Sequence, residues 1–347
     1  MTFGTKVTTI TQDKIVPAVI DNYLDGNVLT MRMLTGQRPA HSWGKVGGET
    51  LKIPIKYTKS TAGGWYENWD SFATQQTAVR VHAQFTLKQL YYSVPISGAQ
   101  LGVNKGETQV LRLLTTEMNS VASDMLDTFG DGLYSDGTGT SSKQLTGLDA
   151  SVDDGNGTAT YAGLARGTYT TWVSNLDSSS NAITRAELAA SYDAAKQVNA
   201  RPTIGVTTEA IWNTIEGLAL GTINFNNPQG TAGLGKNYGQ VTRAGIKRGL
   251  SGELGYTALF FRGVPIVSDP KCTSGRFYWL DEGHIGIGRW PYPTEELGYV
   301  VKPNYHGFAW TGLKVPTNQD ATVGQFLFYG ELINDSCRAH SYMTGKS

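Results

Sequence analysis

Hydrophobic and polar residues alternate along two segments early in the chain. In residues 51–58 every second side chain, from Leu51 to Tyr57, is apolar, and residues 79–88 repeat this period of two. Because successive side chains of a strand point to opposite faces, each segment predicts a half-buried strand. We interpret the two strands as the arms of one long β-hairpin.

The segment between the two arms, residues 62–72, is too rich in aromatic residues for an ordinary solvent-exposed loop. It contains Trp65, Tyr66, Trp69 and Phe72. An isolated two-stranded ribbon is only marginally stable in water, and exposed apolar patches mark contact sites. We therefore expect another copy of the chain to cover these side chains. The alternative is an ordinary hairpin within a larger sheet of the same chain.

The strongest helical pattern runs over about residues 105–129. Between Val110 and Met125 apolar side chains recur every three or four positions, and the opposite face is polar. This spacing predicts one amphipathic helix of roughly 35 Å. We expect Gly130 and Gly132 to end it.

The second half of the chain combines helices and strands. Thr184 and Glu187 have the spacing of a capping box, which predicts a helix to about residue 198. A buried strand at 203–206 and a helix from residue 210 follow, and the Gly- and Asn-rich residues 217–239 predict a mobile loop. Further strands are predicted at 259–261, 264–267, 276–280, 299–301 and 326–329. The pattern indicates an α+β protein.

The first forty residues of the chain carry little core character. Their one apolar segment contains Ile15, Val16, Val19 and Tyr23 and predicts a short helix within an extended arm. We expect these four side chains to contact a neighbouring copy.

Charge and cysteine content narrow the range of functions. The chain has 29 Lys and Arg against 29 Asp and Glu, so no long-range field attracts it to nucleic acid or to an anionic membrane. Its two cysteines, Cys272 and Cys337, form no ligand-spaced group, which favours a reducing compartment. The sequence shows neither a signal peptide nor an apolar stretch long enough to span a membrane.

Motifs for catalysis or cofactor binding are missing. No nucleophile elbow occurs, and the glycine-rich residues 233–239 lack the spacing and the preceding strand of a dinucleotide-binding loop. No pair of histidines has metal-ligand spacing. We therefore predict no catalytic residue, cofactor or metal, and a structural role. The five histidines are His41, His82, His284, His306 and His340.

The order of these features resembles the major capsid proteins of tailed bacteriophages, which share the HK97-like fold. An arm with a short helix precedes a long hairpin, one long helix, a compact α+β unit and a return to strands. Residues 338–340 resemble the closing strand of that family. The other segments that resemble it are 15–19, 48–90, 105–129, 201–212 and 262–281.

The resemblance implies a division of the chain into the parts of that fold. These parts are an N-terminal arm (1–45), an extended E-loop hairpin (46–95), a P-domain (96–182 and 290–347) with the spine helix at about 105–129, and an A-domain (183–289).

The resemblance also implies a function. Copies would assemble as pentamers and hexamers into an icosahedral phage head that encloses double-stranded DNA, contacted weakly and without sequence specificity. Assembly would take place in the host bacterial cytoplasm, and the final location would be the virion capsid. A portal and a separate scaffolding protein, or a propeptide outside this numbering, are expected partners. Some family members cross-link a Lys of the E-loop to a distant Asn, but no motif here predicts such a bond.

Three other functions remain open at the level of sequence. An encapsulin-like cargo shell shares the fold and is not distinguished from a virus by these residues. The Gly, Ser, Thr and Tyr content favours a phage tail or surface protein that binds carbohydrate. Such a protein, however, is expected to have repeats and many strands in place of one long helix. A glycan-degrading enzyme comes third.

Overall fold

The computed structural model describes residues 27–35, 50–99 except 73 and 76, 107–196, 200–220, 258–289 and 308–347. The helices of these residues are α1 (Val28–Thr35), α2 (Glu107–Leu133), α3 (Leu148–Ser151), α4 (Arg185–Ala195) and α5 (Glu209–Leu220). A further helical turn, Gly139–Ser142, has left-handed φ values inside it. The strands are β1 (Thr50–Lys56), β2 (Arg80–Thr86), β3 (Lys88–Ser97), β4 (Thr160–Tyr161), β5 (Leu164–Ala165), β6 (Asn175–Asp177), β7 (Ile204–Thr207), β8 (Ala258–Phe261), β9 (Val264–Ser268), β10 (Phe277–Leu280), β11 (Ile285–Arg289), β12 (Phe308–Trp310), β13 (Ala321–Asn334) and β14 (Ser341–Met343).

The predicted hairpin is confirmed as a two-stranded antiparallel sheet of β1 and β2. Its register places Leu51 opposite Phe85 and Ile53 opposite Ala83, so the alternating apolar positions share one face. The alternative of a hairpin inside a larger sheet of the same chain is wrong, because these two strands pair only with each other among the described residues.

A four-stranded sheet is built around the long strand β13. Strand β3 pairs along one of its sides, and β12 and β11 pair in succession along the other. The long helix α2 packs on this sheet through Phe129, whose ring lies 4.9 Å from that of Phe328. Tyr92 of β3 and Thr128 of α2 are joined by a hydroxyl–hydroxyl hydrogen bond of 2.5 Å.

Helix α2 continues through both glycines that were expected to end it, so that prediction is wrong. A Cβ on Gly130 would lie 2.4 Å from the side-chain nitrogen of Asn27, at the start of α1. A Cβ on Gly132 would lie 3.4 Å from Leu145. Gly130 therefore allows Asn27 to approach the helix more closely than a side chain would permit, whereas Leu145 lies at an ordinary contact distance from Gly132.

The second large sheet has six strands in the order β6, β14, β10, β7, β9, β8. Helices α4 and α5 cover it with a buried cluster that includes Leu188, Tyr192, Ile211 and Trp279. The predicted capping box is present, because Thr184 Oγ1 accepts from Glu187 N and Glu187 Oε2 accepts from Thr184 N. The helix ends at Ala195, earlier than expected.

The structure corrects two sequence predictions, and parts of the predicted elements lie outside the described residues. Residues 217–220, expected in a mobile loop, belong to α5, and residues 221–239 lie outside the described residues. Residues 338–340, expected as a closing strand, follow a 3₁₀ turn at Cys337–Ala339, and the strand begins at Ser341. The ring of His340 is buried there, and its Nδ1 accepts a hydrogen bond from Asp281 N at 3.2 Å. The strand predicted at 299–301 lies outside the described residues.

Candidate subunit-contact surface

The root of the hairpin is fixed to the body of the chain by one apolar face. Ile53, Ala83 and Phe85 are buried in a cluster with Tyr161 and Trp172. The rings of Phe85 and Tyr161 lie 5.9 Å apart in an edge-to-face arrangement. Because this face is covered by its own chain, the direction in which the hairpin projects is set by packing.

Tyr57 marks the point where the hairpin leaves the body. Its ring lies 5.0 Å from that of Tyr169, and its carbonyl accepts from Thr171 Oγ1 at 3.2 Å. Its hydroxyl and its backbone N–H donate across the hairpin to the carbonyls of Ala78 and Val79. These contacts tie both arms together just before the tip.

The tip is a defined turn. Glu67 N donates to Asp70 Oδ2 at 2.8 Å, and Asp70 N donates to Glu67 O at 3.1 Å. Trp69 between them has a φ of 81°, a left-handed conformation that is uncommon for a bulky residue. The turn therefore holds the Trp69 indole away from the ribbon at a cost in backbone energy.

The four aromatic side chains predicted as a contact are exposed. Trp65 and Trp69 are fully exposed, and Tyr66 and Phe72 are each 69% exposed. Tyr66 and Phe72 contact each other edge to face, with ring centroids 5.0 Å apart. No other described part of the chain covers the four side chains, which all lie in the turn at the end of the hairpin.

The outer face of the ribbon carries positive charge. The cations Lys52, Lys56 and Arg80 are exposed on the face opposite the buried cluster, and the ring of His82 is exposed beside them. Lys56 lies directly opposite Arg80 in the register, an arrangement of like charges that weakens a strand pair. With Glu67 and Asp70 at the tip, the projection combines a basic shaft with an acidic, aromatic end.

Other exposed apolar side chains were missed by sequence reasoning. Tyr91 of β3 is exposed and lies opposite Leu327 on the outer face of the four-stranded sheet, away from α2. The alternation of Leu90, Tyr92 and Val94 as the inward set would have identified Tyr91 as outward-facing. The remaining exposed large apolar side chains among the described residues are Leu218, Phe260 and Val315.

The predicted contact residues of the arm, Ile15, Val16, Val19 and Tyr23, lie outside the described residues. The nearest described segment is α1, which is anchored to the body of the chain. Arg32 Nε and Nη2 each donate to the Glu282 carboxylate at 2.5 Å. Helix α1 lies within the predicted arm, and its Val28, Leu29, Met33 and Leu34 belong to the main buried core, so the prediction that this part of the chain carries little core character is wrong for residues 28–34.

The described residues contain no group of acidic, histidine or cysteine side chains arranged to hold a metal ion. Both cysteines are buried, and desolvation raises the pKa of Cys272 and that of Cys337, the latter to about 12. Such thiols are not nucleophilic at neutral pH. Burial lowers the pKa of His340 to about 3, so this imidazole is neutral. No described helix has the length and apolar character needed to cross a membrane.

No protein-family model matches the chain, and no curated protein matches it in sequence. Among solved structures, the capsid asymmetric unit of cyanophage A-1(L) is similar with a TM-score of 0.64 at 15% identity, covering 87% of this chain and 89% of that chain. The capsid of a native GTA particle has a TM-score of 0.52 at 9% identity, covering 90% and 91%. The chain has the HK97-like capsid fold.

Helix α2 has the length and the place in the chain that are expected of the spine helix of the HK97-like fold. The β1–β2 hairpin likewise has the length and the place in the chain that are expected of the E-loop. Strands β6 and β14 join the six-stranded sheet although they lie in ranges predicted for the P-domain. The domain boundaries given by the sequence remain predictions. At these low identities the structural similarity establishes a shared fold.

Proposed function

We propose that the chain is a major capsid protein that assembles with copies of itself into an icosahedral phage head around double-stranded DNA. The observation that carries this proposal is the hairpin tip. Four aromatic side chains sit at the end of a projection whose root is fixed and whose tip is uncovered by the described chain. A surface of this kind is stabilised when a partner removes it from water.

The partner in this proposal is another copy of the chain. A contact in which the tip of one subunit covers a different surface of the next is heterologous, and such contacts close into rings when the rotation between subunits permits. Five- and six-fold rings would then form the shell. The arm residues Ile15, Val16, Val19 and Tyr23 would add a second contact of the same type.

The remaining parts of the proposal follow from the same role. A chain with equal numbers of basic and acidic residues suits a wall that holds DNA weakly, since few phosphates would be neutralised. A separate scaffolding protein and a portal would be partners during assembly in the bacterial cytoplasm, and the mature location would be the virion. A catalytic role is not part of this proposal.

The test is the double substitution Trp65→Ala with Trp69→Ala. We expect folded subunits or small rings with few or no complete shells, because the substitutions remove the two indoles that would be buried against the next subunit. Light scattering would give the mass and electron microscopy the particles. Asn68→Ala with Ser71→Ala, two exposed polar positions of the same turn, is the matched control and should assemble normally. Normal particles from the tryptophan variant would contradict the proposal.

Exposed indoles beside carboxylates are also found in carbohydrate-binding loops, which favours glycan binding as the second candidate. A purified protein that stays monomeric at high concentration and binds a glycan through Trp65 and Trp69 would favour that reading. An encapsulin-like shell would be distinguished by protein cargo in place of nucleic acid inside the particle.

A further inference from the structure

Glu331 is a buried acid in the middle of β13 that none of the preceding contacts explains. Its side chain is 2% exposed. Oε1 accepts hydrogen bonds from Thr146 N at 2.9 Å and from Leu332 N at 3.0 Å, and Oε2 lies 3.3 Å from Thr146 Oγ1. The carboxyl group therefore attaches the four-stranded sheet to Thr146, which is distant in sequence.

Thr146 belongs to the segment between α2 and α3, here called the 135–147 loop. The loop folds back on the end of α2, since a Cβ on Gly147 would lie 2.4 Å from the carbonyl oxygen of Leu133. Three consecutive residues, Thr140, Ser141 and Ser142, have φ values of 51°, 56° and 62°. Each left-handed non-glycine residue costs roughly 1–2 kcal/mol, so the loop is held in a strained form.

A second contact attaches the same loop to the same part of the sheet. Lys88 Nζ donates to the carbonyl of Ser142. Lys88 lies opposite Gly330 in the β3–β13 register, one position from Glu331. The two attachments are thus neighbours, and Leu145 of the same loop is buried in the main core.

The charged and titratable groups around Glu331 are few. Lys88 on β3 stabilises its ionised form electrostatically. The phenol of Tyr161 on β4 is close enough for the Glu331 charge to help raise its pKa. On β11, Arg289 lies opposite Gly330 and directs Nη2 to the carbonyl of Leu34. Within the loop, Lys143 is exposed.

We propose that Glu331 is a proton-dependent latch, which holds the 135–147 loop against the sheet as the neutral acid and releases it on ionisation. As the neutral acid, the Oε2 hydroxyl donates to Thr146 Oγ1, which reverses the bond that the carboxylate accepts, while Oε1 accepts from both N–H groups. As the anion, the buried charge is stabilised by Lys88, whose ammonium is shared with Ser142. Opening of the loop brings water to the carboxylate and relaxes the strained backbone.

Burial supports this latch, because desolvation raises the pKa of Glu331 from 4.5 to about 7. In the open loop the pKa would return to its ordinary value. The closed state then binds a proton more tightly than the open state, so closing is favoured at low pH. The equilibrium constant for opening should rise about tenfold per pH unit between the two pKa values and level off above the higher one.

The test is hydrogen exchange of the full-length chain, read at the amide of Thr146 and corrected for the intrinsic pH dependence of exchange. We expect protection of this amide to fall on the order of a hundredfold between pH 5 and pH 7.5. In Glu331→Gln the amide oxygen accepts the same two bonds and the amide nitrogen donates to Thr146 Oγ1. Protection in this variant should therefore stay high and independent of pH.

Glu117→Gln, an exposed glutamate of α2, is the control and should match the unmodified chain. A carbon-13 titration of the Glu331 carboxyl in the unmodified chain does not depend on how any variant folds. It should give a midpoint near neutral pH. A midpoint near the ordinary value of glutamic acid, or equal pH dependence of Thr146 protection in the Gln variant, would overturn the proposal. Neither outcome bears on shell assembly, which is tested at the tip.

Discussion

Arg166 Nη1 lies 3.3 Å from Asp153 Oδ2, and both side chains are almost completely buried. The Asp153 carboxylate also accepts from Tyr342 Oη at 2.8 Å, which connects this pair to β14 near the end of the chain. The guanidinium satisfies four backbone carbonyls in addition, those of Ala150, Ser151, Thr158 and Trp172. One arginine therefore organises the irregular segment on which the hairpin root packs.

Removal of this arginine should be strongly destabilising. Arg166→Met leaves the Asp153 charge buried and several carbonyls without donors, so we expect a loss of about 3–5 kcal/mol in the free energy of unfolding, measured with urea. The comparison is Arg262→Met, which breaks the exposed pair with Asp193 and should cost less than about 1 kcal/mol. Equal losses in the two variants would show that the buried network stabilises the protein no more than an exposed ion pair does.

The pair of His284 and Asp335 predicts a pH dependence of stability. The hydrogen bond from His284 Nδ1 to Asp335, 2.7 Å long, is the main cause that raises the pKa of His284 above 6.5, while burial opposes it. A raised folded-state pKa stabilises the protein fully below the unfolded-state value, and this contribution is lost as the pH rises through the folded-state value. Asp335→Asn should remove it.

We therefore expect the stability difference between the unmodified chain and Asp335→Asn to be larger at pH 5.5 than at pH 9. Because both side chains are about one third exposed, the change should be only about 0.5–1 kcal/mol. Urea unfolding at both pH values measures it. A difference that does not vary with pH would contradict the assignment of the proton to His284.

The buried contacts of Lys346, which follows β14, predict that the last residues of the chain stabilise the six-stranded sheet. Its ammonium is buried and contacts Asn181 Oδ1 at 2.8 Å, Glu187 Oε1 at 3.2 Å and Asp177 Oδ2 at 3.3 Å. Lys346→Met should lower the free energy of unfolding by about 1–3 kcal/mol, less than a fully buried pair because both acids are partly exposed. Lys143→Met, at an exposed lysine, is the control and should change it by less than about 0.5 kcal/mol.

Sequence reasoning located elements whose cause is local. The period of two in residues 51–58 and 79–88 arises from the alternation of side chains across a strand, and the two strands were found with the expected partners. The capping box of Thr184 and Glu187 depends on residues three apart and was also found. Helix α2 was predicted in type and position, but its end was not.

The errors share one physical origin. Gly130 and Gly132 have low helix propensity, yet α2 runs through both, and at Gly130 the side chain of Asn27 packs where a Cβ would otherwise stand. Residues 338–340 were assigned to a strand from their local sequence. The buried hydrogen bond from Asp281 N to His340 Nδ1 sets their conformation instead. Tertiary contacts decided these positions against local preference.

The sequence by itself determined the hairpin, the long amphipathic helix, the capped helix and the aromatic character of the tip, because each depends on residues close together in the chain. Only the tertiary structure decided that the rings of Trp65 and Trp69 remain uncovered and that β6 and β14 complete one sheet. It also placed Glu331 against Thr146, at a separation of 185 residues. Contacts over such distances follow from how the whole chain buries its apolar surface, and no local pattern encodes them.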